Sequence, residues 1–511
     1  MFTRKNIPRV TSIEPISSWK CAMTKNAALN FCGTILLALS LLGCGGGGGG
    51  GSQSSAPANP SPNPSPVPPA SGWTSSTLIS NLRNKSSVTM FTPAVALKDV
   101  GFVVWNEMSG DCGRIWVNRI ANGVWSSAVE IGTTHAIDPR VSANANGDAI
   151  AVWTEREWSG ANCTGAITGN EIWASRYAAA SDTWSAPQRV SVDAPTNSTI
   201  YAFSAAVTLD AAGRATVAWI QDTPSFARSI WQSRFNSTTW SAPALLSNGT
   251  RNSHEPSLAE DAGGNVIAVW RQDTNPFDPS QTGGGPILPN IWAARYNATA
   301  GAWSTPVLIG SSNLAGFDGT ERPRVDVNAS GHAVAVWQET RGTETSIVAA
   351  RFSASSGTWT SPIALEASAQ QASWPEVAID VNGNAQAVWV QKTDGSAVNN
   401  SGYTARLDAA SGTWGAPQLF EQAVEEVSTP QVGMEDSGRA LIAWNQSVSG
   451  TPPIHAVHYA PATGLDTPTH FAGDGLILAV NGGGTALLAS HVTSFETTFF
   501  GMSIRAAMFR P

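Results

Sequence analysis

Apolar and polar positions alternate in short runs along most of the chain, and the runs repeat as a unit. One copy reads RPRVDVNASGHAVAVWQET and then SIVAARFSASSGTWTSP over residues 322–362. The next reads WPEVAIDVNGNAQAVWVQK and then YTARLDAASGTWGAP over residues 374–417. Alternation over four to eight residues is typical of β-strands, and Asn/Asp-x-x-Gly between two runs is typical of a turn. Each unit therefore predicts four short strands.

The number of units predicts the architecture. A tryptophan that ends the second run recurs at positions 105, 153, 219, 270, 337, 389 and 444. Residues 474–511 hold a worn, that is degenerate, eighth copy that lacks a fourth run. Gly72-Trp73-Thr74-Ser75 is a fourth run that is not preceded by the other three. We expect an all-β protein, a β-propeller of about eight four-stranded blades closed by an N-terminal strand that completes the last blade. Seven blades is the alternative, if the worn copy forms no blade.

The layout of residues 73–511 resembles that of the sialidase-like, Asp-box (BNR-repeat) propellers. The shared elements are Pro-x-Val, Asp-x-x-Gly, a strand ending in Trp, and a Gly-Thr-Trp turn such as Ser353–Trp359 or Asp408–Trp414. The aspartate of the family's turn is missing in both of these copies. The resemblance implies a propeller fold and a carbohydrate ligand or substrate.

A sialidase would need three arginines around a carboxylate and a tyrosine nucleophile. In this chain Arg156, Arg251 and Arg322 are the candidate cations, and Tyr201 is the candidate phenol. The Phe/Tyr-Arg-Ile-Pro motif of the family is absent. The chain also lacks Gly-x-Ser-x-Gly, His-Glu-x-x-His and a Gly-Lys-Ser/Thr loop. These absences favour binding over catalysis and leave the catalytic residues unassigned.

The N-terminal region predicts export and anchoring. Residues 1–43 are predicted to be a signal region, because the apolar stretch ends in Leu-Leu-Gly before Cys44. Its true start is predicted at Met23, because the 22 residues before it contain Glu14, two prolines and no apolar run. This segment resembles a bacterial lipoprotein signal, which implies lipidation of Cys44. Residues 44–72 then form a Gly/Pro/Ser-rich tether. Gly45 after the lipidated cysteine implies the outer membrane, on its periplasmic or its cell-surface side.

Charge narrows the range of partners. The net charge is −8, the pI is near 5.4 and no Lys/Arg run is present, which excludes a nucleic-acid partner. The expected partners are the membrane, through the lipid, and a protein or carbohydrate bound by a monomeric body. No cofactor and no metal ion are expected.

Two cysteines remain after removal of the signal and lipidation of Cys44. Cys112 and Cys163 lie between the second and third runs of neighbouring units. An exported protein oxidises such a pair. We therefore expect a disulfide between Cys112 and Cys163 that ties the first blade to the second.

Two further series repeat with the unit and predict a ladder. Third-run arginines occur at 119, 176, 234, 295, 351, 406 and 505, and a Glu or Gln follows each second-run Trp by two, at 107, 155, 221, 272, 339, 391 and 446. We expect each arginine to be held across the strands by the acid or amide of its own unit.

The candidate ligand site consists of residues that packing does not repeat. The residue before each first-run proline should rim the central channel: Thr92, Asp138, Glu255, Arg322, Trp374 and Thr429, with Phe203 in the third unit. The candidate ligand-binding residues of the rim and loops are Asp138, Arg156, Trp158, Tyr201, Glu255, Arg322 and Trp374. Trp374 offers a stacking surface for a sugar, and the carboxylates accept hydroxyl hydrogen bonds.

These features favour a membrane-anchored lipoprotein whose propeller is a binding or scaffold module for a protein or a glycan. The alternative is a sialidase-like glycoside hydrolase or lyase that acts on surface carbohydrate.

Overall fold

The computed structural model describes the chain from Gly72 onward. The described residues are 72–80, 88–90, 94–109, 112–133, 135–192, 201–223, 227–273, 289–311, 322–341, 344–366, 371–392, 400–421, 425–450, 452–496 and 499–511. All their regular elements are strands, and no helix among them has the length and apolarity to cross a membrane. The signal region, Cys44 and the tether lie outside these residues.

Eight antiparallel units of four strands form the body, as the repeat predicts. Within each unit the chain passes from an inner strand A through B and C to an outer strand D, and each strand pairs with the one before it. Strand A of each unit contacts strand A of the next, and the last contacts the first. The units are thus the blades of a closed eight-bladed propeller, and the seven-bladed alternative is excluded.

The strand bounds show how regular the blades are. Strands A are Ala94–Leu97, Ala136–Ala143, Ala202–Leu209, Ser253–Glu260, Arg324–Val327, Ala372–Ile379, Val427–Met434 and Asp474–Val480. Strands B are Val100–Ser109, Ala149–Gly160, Ala215–Asp222, Val266–Asp273, Ala333–Arg341, Ala385–Lys392, Ala440–Gln446 and Ala486–Glu496. Strands C are Cys112–Ala121, Thr164–Ala178, Arg228–Phe235, Pro289–Asn297, Glu344–Ser353, Asn400–Asp408, Ile454–Ala460 and Phe499–Arg510.

Strand D consists of short segments along the outside of each blade. In blades 1 to 7 these segments are Val124–Trp125 and Val129–Glu130, Thr183–Trp184 and Gln188–Arg189, Ala244–Leu245, Ala302–Trp303 and Val307–Ser311, Thr358–Trp359 and Ile363–Ala364, Thr413–Trp414 and Gln418–Leu419, Gly464–Leu465 and Thr469–Phe471. In blade 8 they come from the start of the body, as Gly72–Trp73 and Thr77–Leu78.

The N-terminal strand closes the ring. Trp73 lies opposite Phe509 and Leu78 opposite Arg505, so the first described residues pair with the last strand of the chain. Val88–Met90 then pairs with the B strand of blade 1 and, in parallel, with the C strand of blade 8. Blades 8 and 1 therefore share one continuous sheet.

The apolar core lies between blades, not within them. Strand B is buried on both faces because successive side chains enter the interfaces with the preceding and the following blade. In blade 3, for example, Val217 and Trp219 pack against blade 2, while Ala218 and Ile220 pack against blade 4. All seven B-strand tryptophans are at most 1% exposed. The tryptophans therefore recur in the sequence because of packing between blades.

The Glu or Gln that follows each B-strand Trp has a different role from the one we expected. In blades 2, 3, 4, 6 and 7 it accepts a hydrogen bond from the indole N–H of that Trp, at 2.7 Å for Trp219 to Gln221 and 3.0 Å for Trp389 to Gln391. Arg176 lies opposite Ile150, five positions along strand B from Glu155, so the predicted ladder is wrong. The two series are separated because strands B and C run antiparallel. On strand B the Glu or Gln lies two residues after the Trp, whereas the arginine of strand C lies opposite a residue three positions before that Trp.

The repeated arginines instead link neighbouring blades. Five of the seven guanidinium groups lie over an aromatic ring of the next blade, with centroid distances of 5.6 Å for Arg119–Tyr177, 4.1 Å for Arg176–Phe235, 3.7 Å for Arg234–Tyr296, 6.0 Å for Arg295–Phe352 and 5.9 Å for Arg406–Tyr459. His458, which replaces the arginine in blade 7, lies 4.4 Å from Phe509 of blade 8. These cation–π contacts help fix the angle between blades.

A buried carboxyl group between blades 3 and 4 makes stability depend on pH. Burial raises the pKa of Glu260 to about 7, against the opposing effects of Thr208, Arg234 and Arg214. The unfolded chain loses this proton near pH 4.5, so the folded state binds more protons between pH 4.5 and 7, and stability falls as pH rises through that range.

We expect Glu260→Gln to remove this pH dependence. At pH 8 the variant should be more stable than the wild type by about 1–3 kcal/mol, and at pH 4 the two should be equal within about 0.5 kcal/mol. Urea unfolding at both pH values measures the difference. An equal difference at pH 4 and pH 8 would show that folding does not raise the pKa of Glu260.

Candidate ligand site at the channel mouth

A cavity of about 800 Å³ lies on the axis of the ring. Strand A or its approach contributes lining residues from every blade, from Ala94 in blade 1 to Ile477 in blade 8. A polar cavity enclosed by eight strands of a rigid ring is the usual place for a small ligand in such a fold. We call it the channel mouth.

The upper rim of the mouth is made of residues in the left-handed backbone region. Positive φ angles occur at Asp138 (52°), Ser204 (52°), Glu255 (55°), Arg322 (40°), Trp374 (58°) and Thr429 (46°). In most blades this position is also a break in the register between strands A and B. A left-handed residue other than glycine costs about 1–2 kcal/mol, and β-bulges serve to redirect side chains. The strained backbone therefore sets the direction of the rim side chains. Strain of this kind is concentrated at functional sites in proteins.

Four of the seven predicted rim residues, Asp138, Glu255, Trp374 and Thr429, line the cavity, and Arg322 shares their left-handed backbone but is not among the described lining residues. Thr92 lies outside the described residues. In blade 3 the left-handed residue that lines the cavity is Ser204, so the assignment of Phe203 is wrong by one position. The error arises because Ala205 replaces the proline that was used to locate the rim position in the other units.

Three predicted rim residues form one contiguous group on blades 4 to 6. The backbone N–H of Arg322 donates to a carboxylate oxygen of Glu255 at 3.0 Å, and the Arg322 guanidinium carbon lies 3.4 Å from the ring centroid of Trp374. Burial lowers the pKa of Arg322, with Glu255 acting in the opposite sense. Trp374 is still 42% exposed, so a large aromatic surface remains open at the mouth.

A lower tier of charged residues was missed by the sequence reasoning. Arg140 donates to Asp138 at 2.8 Å, and Arg324 donates to Glu376 at 2.9 Å. Arg140, Arg324 and Glu376 occupy the variable position of Pro-x-Val in blades 2, 5 and 6, and all three line the cavity. The signal was present in the sequence: the valine repeats for packing, while the residue before it varies between charged, polar and small.

The rest of the lining is mixed. Blades 8, 1 and 3 contribute the small or apolar residues Gly475, Ile477, Ala94 and Ala206, and the Asp138–Arg140 pair of blade 2 lies among them. The larger charged and aromatic group is therefore on blades 4 to 6, and apolar lining is found on the other blades. A ligand with polar edges and an apolar face matches this arrangement.

Three other candidate residues lie away from the cavity. Arg156 and Trp158 are on the long B–C hairpin of blade 2, and the Tyr201 hydroxyl reaches the Ile167 carbonyl of the same hairpin at 3.4 Å. None of the three is among the described residues that line the mouth, and neither is Arg251. The structure thus brings together Asp138, Glu255, Arg322 and Trp374, and groups Arg156, Trp158 and Tyr201 separately.

The two body cysteines are also adjacent. Cys112 begins strand C of blade 1, and Cys163 lies at the tip of the blade 2 hairpin; they are joined in the structure with their Cα atoms 5.4 Å apart. This geometry permits the predicted bond between the first two blades. Export of the protein, and with it the oxidation of the pair, stays a prediction.

Comparison with known proteins finds similarity in structure alone. No family model matches the chain, and no curated protein matches it significantly in sequence. Solved structures with similar coordinates include a polysaccharide lyase described as an ulvan lyase (TM-score 0.47, 11% identity, 71% of this chain and 91% of that one). They also include a Dyadobacter fermentans protein of unknown function (0.40, 13%, 61% and 95%) and the NanB sialidase of Streptococcus pneumoniae (0.36, 11%, 80% and 84%).

Proposed function

We propose that this protein is an exported, lipid-anchored β-propeller that binds a carbohydrate in the channel mouth. The observation that carries the proposal is Trp374, which is 42% exposed on a left-handed backbone at the rim. An exposed tryptophan is unfavourable in water, and a strained one is more so. Both costs are explained if the indole ring stacks on a ligand.

The chemistry around Trp374 suits a sugar. Pyranose rings have an apolar face that packs on indole, and hydroxyl edges that need hydrogen-bond donors and acceptors. Arg322 covers part of the Trp374 ring and fixes its orientation, while Glu255 and Glu376 offer acceptors nearby.

The charge of the mouth indicates a neutral glycan. The described charged residues of the two tiers form three acid–arginine sets: Asp138 with Arg140, Glu255 with Arg322, and Glu376 with Arg324. Arg140 and Arg324 are ion-paired with their carboxylates, whereas Glu255 accepts from the backbone N–H of Arg322 and acts on its guanidinium through charge. An acidic sugar would have to compete with these carboxylates, whereas a neutral sugar can use the same groups as fixed donors and acceptors.

The proposed anchor rests on the sequence alone. The apolar segment before Cys44 and the tether of residues 44–72 support a body held near a membrane and exposed to envelope or surface glycans. Gly45 supports placement at the outer membrane.

We expect Trp374→Ala to weaken glycan binding by at least about tenfold, because it removes the stacking surface. The detergent-solubilised full-length protein is screened on a glycan array, and hits are titrated by calorimetry. Val381→Ala is the matched control: this side chain is 44% exposed on the same blade, beyond the far end of strand A, and should leave the affinity unchanged.

Two outcomes would overturn the proposal. A blank array with folded protein would favour a protein partner, and equal binding by Trp374→Ala would place the glycan elsewhere. Incubation of each hit with the protein also tests the hydrolase or lyase alternative, since product release would change the assignment from binding to turnover.

A further inference from the structure

A second group of chemically competent side chains lies at the junction of blades 1 and 2. Cys112, His135 and Cys163 each offer one ligand atom, and these three atoms lie within 4.8 Å of one another. They come from three separate segments: the start of a C strand, the approach to an A strand, and the tip of a hairpin. Such convergence is not explained by a disulfide, which needs two of the three.

The backbone around this group is built for close approach. A Cβ added to Gly113, next to Cys112, would lie 2.1 Å from the carbonyl oxygen of Ala136, next to His135. Glycine is therefore required where the two blades touch. On the other side, Asn162 (φ 55°) and Cys163 (φ 58°) adopt left-handed conformations in the hairpin turn. Both features bring the sulfur atoms toward the imidazole ring.

The segment that carries His135 is also held in place. Glu155 accepts hydrogen bonds from the Thr133 hydroxyl and, at 3.2 Å, from the indole N–H of Trp153. The Arg156 N–H donates to the His135 carbonyl at 3.1 Å. These contacts tether His135 to strand B of blade 2, whose hairpin carries Cys163 at its tip.

We infer that Cys112, His135 and Cys163 form a redox-gated site for a thiophilic divalent ion such as Zn²⁺. In the disulfide form neither sulfur is a thiolate, so the site is closed. A dithiol reductant supplies two electrons and two protons, opens the S–S bond and becomes a disulfide itself. Zn²⁺ then binds both sulfurs and displaces their two protons, while a neutral imidazole nitrogen of His135 supplies the third ligand.

The donor set determines the ion and the geometry. Two thiolates and one imidazole are preferred ligands of Zn²⁺ and of other soft ions, and hard ions such as Mg²⁺ and Ca²⁺ avoid them. Three protein ligands leave a fourth position for water. The inference is independent of the glycan proposal, because the site shares no residue with the channel mouth.

The test measures Zn²⁺ retained by the full-length protein in its two redox states. Protein is either oxidised or reduced with a phosphine under inert gas, incubated with Zn²⁺, desalted and analysed for metal. Cys112→Ser/Cys163→Ser and His135→Ala are compared with the wild type, so that any Zn²⁺ bound elsewhere on the protein contributes equally throughout. His332→Ala is the matched control, since His332 is exposed on blade 5.

We expect the reduced wild type to retain about one Zn²⁺ more than the oxidised protein or the double serine variant. His135→Ala should weaken this binding at least about tenfold, and His332→Ala should not. Zn²⁺ should also raise the melting temperature of the reduced wild type but not that of the oxidised form. Equal Zn²⁺ in both redox states, or unchanged affinity in His135→Ala, would overturn the inference.

Discussion

Replacing Trp389 with alanine should lower the free energy of unfolding by about 3–5 kcal/mol. The Trp389 side chain is fully buried at the interface of blades 5 and 6, where it packs against Val336 and Ala349 of blade 5. Its ring stacks on Tyr403 with 6.1 Å between centroids, and its N–H donates to Gln391. Alanine would leave a cavity at an interface whose two sides are fixed by the ring.

Trp389→Phe separates packing from hydrogen bonding. It keeps most of the ring but leaves the buried Gln391 amide oxygen without its donor, so we expect a smaller loss of about 1–3 kcal/mol. The midpoint of urea unfolding, with circular dichroism to confirm the fold, measures both variants. A loss below about 1 kcal/mol for Trp389→Ala would show that neighbouring blades relax into the space.

Deleting residues 72–80 should abolish the cooperative folded state or leave a protein that aggregates. This segment supplies strand D of blade 8: Thr74 N–H donates to the Met508 carbonyl at 2.8 Å, and Ile79 N–H to Ile504 at 3.0 Å. Trp73 packs on Phe471 at 4.8 Å, and Ile79 is buried with Trp105 of blade 1.

The expected size of this effect follows from what the strand holds together. Several hydrogen bonds of about 1 kcal/mol each and two apolar side chains of about 2 kcal/mol each are comparable with the 5–15 kcal/mol that stabilises a typical domain. The deletion also exposes a free edge on the last strand, which favours aggregation.

The matched control removes nine residues, 60–68, from the Pro-rich tether. It shortens the chain equally and should leave solubility and the unfolding midpoint of the body unchanged. Soluble, cooperatively folding protein after deletion of 72–80 would mean that blade 8 is stable with three strands.

The sequence predicted most of the fold because the fold is a repeated local pattern. The Asp/Asn-x-x-Gly turns, the buried Trp at the end of strand B and the unpaired fourth strand at Trp73 each appear in the chain order that the structure uses. Each depends on contacts within one blade or on a packing rule that every interface repeats. Ring closure and an expectation of about eight blades therefore followed from counting.

The candidate site was predicted in part. Asp138, Glu255, Arg322 and Trp374 were found because the proline after each marked the same position in every blade. Ser204 was missed where the proline is absent, and Arg140, Arg324 and Glu376 were missed because Pro-x-Val was read for its packing residue alone. Arg156, Trp158 and Tyr201 were grouped with the rim because loop residues have no repeated motif, such as the proline of the rim, that marks their position in the blade.

The four-strand repeat, the closing strand at Trp73 and most of the rim positions could be read from the sequence, since these depend on periodicity along the chain, whereas the choice between seven and eight blades needed the structure. Only the tertiary structure decided which side chains meet. Arg322 reaches Trp374 of the next blade, the repeated arginines lie over neighbouring rings, and His135 stands beside two cysteines from other segments. Each of these contacts crosses between blades or segments, and its distance is set by backbone bulges and ring geometry that no single repeat encodes.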